Sequence, residues 1–169
     1  MTAQANERRI VFLSGFMGSG KSTVGAALAK SMGMPFIDLD RVTEKLLGET
    51  IAASIQTRGE TAFREVESRA LKNVIGAPAG VVALGGGTLL APSNRALARS
   101  RGVIVTLNVS EAIAVRRVAG GVARPLFREG LLAERRAVYA DADLCVDTDA
   151  QSADEVVATI AAWLRGRRQ

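Results

Sequence analysis

Apolar residues follow two rhythms along this chain, and the rhythms alternate. Short unbroken runs recur: Ile10-Val11-Phe12-Leu13, Val81-Val82-Ala83-Leu84, Val103-Ile104-Val105-Thr106-Leu107 and Leu144-Cys145-Val146. Each stops at a glycine or a polar turn. Runs of this length predict strands buried on both faces, as in a parallel sheet. Pro35-Phe36-Ile37-Asp38-Leu39-Asp40 predicts one more strand, ending in two acids. Between the runs, apolar positions fall three and four residues apart, which predicts helices. These cover 22–32 closed by Gly33, then 42–47, 61–75, 92–99, 110–118, 131–139 and 152–164. Ser152 and Glu155 form a capping box that opens the last of them.

Strands alternating with helices imply right-handed crossovers and a sheet covered on both sides. The expected fold is three-layer α/β, a five-stranded parallel sheet with helices on both faces, in one domain spanning 1–169. Periodicity fades between 119 and 130, around Gly120-Gly121 and Arg124-Pro125, which predicts a mobile lid.

Composition narrows the chemistry. Apolar residues make up 48% and charged ones 23%, a globular balance rather than a disordered one. There is no histidine, so acid–base chemistry falls to carboxylates, Lys, Tyr or Cys. The single cysteine, Cys145, excludes an internal disulfide and reads as a small buried hydrophobe. No stretch approaches the ~18 apolar residues that span a membrane, so a cytoplasmic location is expected. The net charge of +5 comes with arginines set beside glycine or proline, which suits a phosphate-rich ligand. The basic tail 165–169 reads as a solvated helix end rather than a nucleic-acid contact.

Gly15-Phe16-Met17-Gly18-Ser19-Gly20-Lys21-Ser22 matches G-x-x-x-x-G-K-[ST] without mismatch, after a strand and before a helix. Its backbone N–H groups can cradle phosphates at a helix N-terminus. Lys21 then reaches the β- and γ-phosphates, and Ser22 supplies an oxygen to Mg²⁺. This motif alone leaves a small-molecule kinase, a GTPase and a motor ATPase open. Asp38 and Asp40, two apart on a strand, point to the same side. One can hold the water shell of Mg²⁺ while the other orients an acceptor hydroxyl; a helix cap is the plainer reading. Arg64, beside Phe63, suits a small carboxylate, although from residues alone an i,i+3 ion pair with Glu67 is the favoured reading. Gly85-Gly86-Gly87 is either a flexible turn or a place where a ligand nears the backbone. Arg124, in the lid, can close on a transferring phosphoryl group.

Taken in order, these pieces resemble the shikimate kinase family over nearly the whole chain. The matching elements are Gly15 to Thr23, Asp38-x-Asp40, Gly59-Glu60-x-x-Phe63-Arg64-x-x-Glu67, Leu84-Gly85-Gly86-Gly87 and Arg124-Pro125-Leu126. The resemblance implies a nucleoside-monophosphate-kinase-like fold and transfer of the ATP γ-phosphoryl to the 3-hydroxyl of shikimate. Catalysis would rest on Asp40, Lys21 and Arg124. ATP would lie on Gly18, Ser19, Gly20, Lys21, Ser22 and Thr23, with Arg117 against the adenine and Arg124 over the phosphates. Shikimate would meet Asp40, Phe63, Arg64, Gly86, Gly87 and Arg135, with Glu67 holding both clamp arginines. Mg²⁺ would sit on Ser22 and, through water, Asp38. ATP and shikimate are the expected partners, with no nucleic acid and no membrane, and a monomer is expected. The chain departs from the family at Ser54-Ile55, where Ile-Phe is usual, and at Ala137-Val138, where Pro-Leu precedes the tyrosine. Ile55 thus leaves a kinase for another hydroxy acid, such as gluconate, as the alternative. A nucleotide-binding module without turnover is a second.

Overall fold

The computed structural model describes residues 9–77, 79–119 and 126–167. Five strands, β1 (Ile10–Gly15), β2 (Phe36–Asp38), β3 (Gly80–Ala83), β4 (Gly102–Asn108) and β5 (Leu144–Asp147), form one sheet in the order β2-β3-β1-β4-β5. Every pairing is parallel. The central strand, β1, pairs Ile10 with Gly80 on one side and Gly102 on the other. The chain leaves β1 for one edge and later crosses to the other. A crevice therefore opens at the carboxyl ends of the central strands, where α/β sheets bind ligands.

Strand alternation explains why the runs are apolar throughout. Val11, Leu13, Val103, Val105, Leu107 and Val146 face α1 (Lys21–Met32) and α7 (Ala153–Gly166). Ile10, Phe12, Val82 and Ile104 face α3 (Ile51–Val74) and α4 (Pro92–Arg101). Both faces are covered, so residues of both parities are mostly apolar. Phe12 and Leu13 are fully buried, each stabilising the fold by about 1.5–3 kcal/mol. The expected ends hold well: Gly33 closes α1 in the left-handed conformation, and the capping box of Ser152 and Glu155 opens α7.

Three expectations need correction. The strand expected at 35–40 stops at Asp38, and Leu39 already begins α2 (Leu39–Leu47). The reason is local: the Asp38 carboxylate accepts a hydrogen bond from the Asp40 N–H at 3.1 Å, the N-cap arrangement. The helix expected from 61 is present, but a second helix, from Ile51 and unforeseen, leads into it, capped by Thr50, whose Oγ1 accepts from the Ala53 N–H. At Gly59 the backbone leaves helical geometry, at φ 83° and ψ 167°, so α3 is two helices meeting at a kink. Cys145 is exposed, not buried. It lies on the edge strand β5, where alternation turns Val146 into the core and Cys145 away from it. A 3₁₀ turn at Thr88–Leu90, α5 (Glu111–Val118) and α6 (Leu131–Ala140) complete the chain. Among the described residues no helix is long and apolar enough to cross a membrane. Half of the expected lid, 120–125, lies outside the described residues, as do Arg168 and Gln169.

Candidate active site

The P-loop emerges from β1 and turns into α1. Gly18 sits at φ 72°, and a Cβ there would stand 2.8 Å from the Ala114 carbonyl oxygen of α5. Only glycine satisfies both the left-handed backbone and the close packing. The Lys21 Nζ donates to the carbonyls of Gly15 and Phe16 at 2.8 and 2.9 Å, which holds the ammonium across the loop's mouth. Ser22 and Thr23 stand exposed in the first turn of α1, while Ser19 is buried beneath the loop and Gly20 precedes the helix. Arg117 reaches from α5 and donates to Gly18 O at 3.2 Å and Thr148 O at 2.6 Å. It thereby straps the loop to the segment after β5. Sequence reasoning missed Thr148, whose hydroxyl both receives Arg117 and donates to Asn108 O.

Asp38 and Asp40 serve different halves of the crevice. Ser22 Oγ donates to Asp38 Oδ2 at 2.8 Å, so that carboxylate belongs to the P-loop side. Asp40, in the first turn of α2, lines a cavity of about 320 Å³ next door. The pairing foreseen from strand alternation is thus achieved by a strand end and a helix start.

That cavity gathers the remaining expected residues. Phe63 is buried in its floor, with the Arg64 guanidinium 4.8 Å from the ring centroid. Both readings of Arg64 hold together. It pairs with Glu67 at 2.8 Å and with Glu60 at 3.1 Å, and it still lines the cavity. Burial, the largest single influence, opposes its charge, but the two glutamates outweigh burial and hold the pKa above its ordinary value. Glu67 is 1% exposed and also accepts from Thr88 Oγ1 at 2.8 Å. Its described partners are therefore Arg64 and Thr88; the expected bond to the second clamp arginine is replaced by the threonine.

The other arginine of the cavity is Arg135, on α6; its neighbour Arg136 faces a different hollow, beside Cys145. Arg135 is 8% exposed, and its Nε is buried without a partner. Two glycines explain how the walls close. A Cβ on Gly85 would lie 2.5 Å from Glu67 Oε1 and 2.9 Å from Asp40 Oδ1. A Cβ on Gly87 would lie 2.3 Å from Arg64 Nη2. The triple glycine is needed because acids and a guanidinium pack directly on the backbone. Gly86 O accepts from the Tyr139 hydroxyl at 2.6 Å. Burial pushes the Tyr139 pKa up, while the charges of Arg135 and Arg64 pull the other way. Sequence reasoning named Gly85 within the triple glycine and the tyrosine after Arg135, but gave neither a role of its own. Tyr139 is the chain's one tyrosine and stands four residues after Arg135, on the same helix face, which is the signal that was there to read. Ile51, Ile55, Leu126 and Leu131 supply apolar wall. Arg124, expected over the phosphates, lies outside the described residues.

A phosphate cradle thus opens beside a small pocket lined by Asp40, Glu44, Glu67 and two arginines. A model of the shikimate kinase family matches residues 17–165. The shikimate kinase of Geobacter sulfurreducens is 40% identical over 95% of this chain and 93% of its own length. The chain belongs to the shikimate kinase family. As a member it is an ATP-dependent kinase with a hydroxyl acceptor. The shikimate kinase of Acinetobacter baumannii, solved in complex with shikimate, superposes with a TM-score of 0.88 at 29% identity, covering 98% of each chain. A gluconokinase of Sinorhizobium meliloti reaches 0.65 at 22% identity over 95% and 94%, a likeness of fold alone.

Proposed function

We propose that this chain transfers the γ-phosphoryl group of ATP to the 3-hydroxyl of shikimate, giving ADP and shikimate 3-phosphate. One observation carries the reading: Asp40, Arg64 and Arg135 line a single small cavity that the P-loop also walls, through Met17. A hydroxylated carboxylic acid satisfies that set. Its carboxylate meets the two guanidiniums, and its hydroxyl meets Asp40. The family's shared activity and the Acinetobacter complex with shikimate support the same acceptor.

Little covalent work falls to the protein in phosphoryl transfer; positioning and charge neutralisation dominate. Arg64 and Arg135 fix the ring by its carboxylate, so that one hydroxyl points at the cradle. Asp40 accepts that hydroxyl's proton as the oxygen attacks phosphorus and the bond to the β-phosphate oxygen breaks. Lys21 stabilises the charge that develops on the phosphoryl oxygens and the leaving group. Arg124 closes on the same oxygens from the lid. Arg117 packs on the adenine, and the N–H groups of Gly18 to Thr23 hold the phosphates.

The donor set also fits a magnesium ion. Mg²⁺ keeps several waters and takes one or two protein oxygens beside the phosphates. Ser22 Oγ and the Asp38 carboxylate, bonded to each other at 2.8 Å, are such oxygens. Among the described residues no cluster of three or more His, Cys, Asp or Glu offers an all-protein cage, as this ion does not need one. Held by Ser22 and, through water, Asp38, the ion would neutralise charge on the phosphates. Every group used here comes from one chain, so a monomer suffices.

The test is ADP release with shikimate and with gluconate at saturating Mg·ATP. Turnover with shikimate and none with gluconate is expected. The reverse preference would replace shikimate by another hydroxy acid.

A further inference from the structure

We infer that Tyr139 is a positioning residue for the acceptor: its hydroxyl joins the Arg135 side of the pocket, on α6, to the glycine loop that follows β3. The inference rests on the functional reading above and adds a residue to it.

The two clamp arginines are held in unlike ways. Arg64 has Glu60 and Glu67 to fix its fork. Arg135 makes no salt bridge among the described residues, and its Nε is buried without a partner. A long, flexible cation in that position needs some other constraint to meet a carboxylate with a set geometry. The phenol supplies it. Tyr139 is 5% exposed, shares a helix face with Arg135, and interacts with its guanidinium through the side-chain oxygen. A phenol has one proton to donate and lone pairs to accept with. The proton is committed to Gly86 O at 2.6 Å, which leaves the oxygen to face the arginine. The three groups meet at one point. A Cβ placed on Gly86 would stand 3.6 Å from Arg135 Nη1 and 3.7 Å from Tyr139 Oη.

The second consequence is on the loop. Gly86 C=O and Gly87 N–H belong to one planar peptide, so fixing the carbonyl aims the N–H. The phenol therefore orients two acceptor-facing donors at once, a guanidinium and a backbone amide.

Tyr139→Phe keeps the ring and removes the hydroxyl. We expect the shikimate KM to rise about tenfold, the loss of roughly one buried hydrogen bond. The ATP KM should stay within about twofold, as phenylalanine keeps the ring packed against Phe16 of the P-loop and the bond it loses runs to Gly86. Combined with Arg135→Ala, the loss should be clearly less than the product of the two single losses, because both act through one guanidinium. A merely structural tyrosine would move both KM values together, or combine multiplicatively with Arg135→Ala; either result overturns the inference. A second measurement needs no variant. The chain has one tyrosine, so biosynthetic 3-fluorotyrosine gives one ¹⁹F resonance. Shikimate should shift it and Mg·ADP alone should not; a resonance blind to shikimate overturns the inference. If the unmodified enzyme turns over shikimate while these tests are silent, the inference fails alone. Absent turnover, the functional reading fails first.

Discussion

Replacing Gly87 by alanine adds one methyl group against the carboxylate clamp. Gly87 has φ −111° and ψ −1°, so an alanine adopts its backbone without strain. The effect must then be steric. The new Cβ would stand 2.3 Å from Arg64 Nη2, 2.6 Å from Cζ and 2.7 Å from Nη1. Ordinary contact needs a retreat of about 1 Å or more. Arg64 is not free to swing: Glu67, 1% exposed, holds Nη1 at 2.8 Å, and Glu60 holds Nε and Nη2 at 3.2 and 3.1 Å. Parting Arg64 from buried Glu67 would cost about 3–5 kcal/mol. The cheaper response is to tilt the fork within its ion pairs, or to shift the glycine loop slightly. Either spoils the alignment with a substrate carboxylate. Misplacement on that scale costs up to about a hundredfold in rate, and one charge-assisted hydrogen bond is worth about 1.5–3 kcal/mol. We expect kcat/KM for shikimate to fall about 10- to 100-fold, equivalent to about 1.4–2.7 kcal/mol. The assay is coupled ADP release with shikimate varied at saturating Mg·ATP, alongside a melting curve. The ATP KM should stay unchanged and the melting temperature should move by only a few degrees. An unchanged kcat/KM for shikimate would refute the packing argument. An equal loss toward ATP would refute the separation of the two half-sites.

Lys21→Ala and Arg124→Ala should each cut turnover by about 10³–10⁵, the scale of phosphoryl-clamping cations, with ADP release as the measurement; a tenfold loss or less at Arg124 would remove it from the phosphates. Asp38→Asn keeps an N-cap for α2, since asparagine caps as well as aspartate, but loses the charge beside Ser22. The melting temperature should hold, while the Mg²⁺ concentration giving half-maximal activity rises; an unchanged Mg²⁺ titration would contradict the assignment. Burial raises the Tyr139 pKa above its ordinary value of 10.0. The folded state then keeps the proton longer than the unfolded state, so stability falls as pH rises past about 10. Tyr139→Phe should flatten that alkaline slope in urea titrations, and an unaltered slope would contradict it. Glu155 titrates the opposite way: the N–H and hydroxyl of Ser152 lower its pKa below 4.5. That contribution is present above about pH 4.5 and lost as pH falls through the folded value, so Glu155→Gln should melt with a shallower acid slope.

The fold was largely legible because the sheet is parallel. Doubly buried strands leave unbroken apolar runs, and Gly33 and Ser152 mark helix ends by conformation and capping. What escaped was set by contacts between distant segments. Ile51 to Arg58 is helical because Thr50 caps it, yet Gly59 broke its periodic pattern. Asp40 was placed on a strand because alternation and a helix cap look alike across Asp38-Leu39-Asp40. Cys145 sits in an apolar run, but only the topology shows that β5 is an edge. In the site, the P-loop and the two acids could be read from spacing alone. Tyr139 and Gly85 could not, since their partners lie 53 residues away at Gly86 and on two other helices at Glu67 and Asp40. Choosing Arg135 over Arg136 likewise needed the turn of α6.

The central claim is that one cavity beside the P-loop holds a hydroxylated carboxylic acid for phosphorylation. The most direct measurement is ³¹P NMR of the purified protein with Mg·ATP and shikimate. The account predicts equal amounts of ADP and one new phosphomonoester on the 3-hydroxyl, both lost in Asp40→Asn. Release of inorganic phosphate without a sugar-acid ester, or an ester formed with gluconate and not with shikimate, would contradict it.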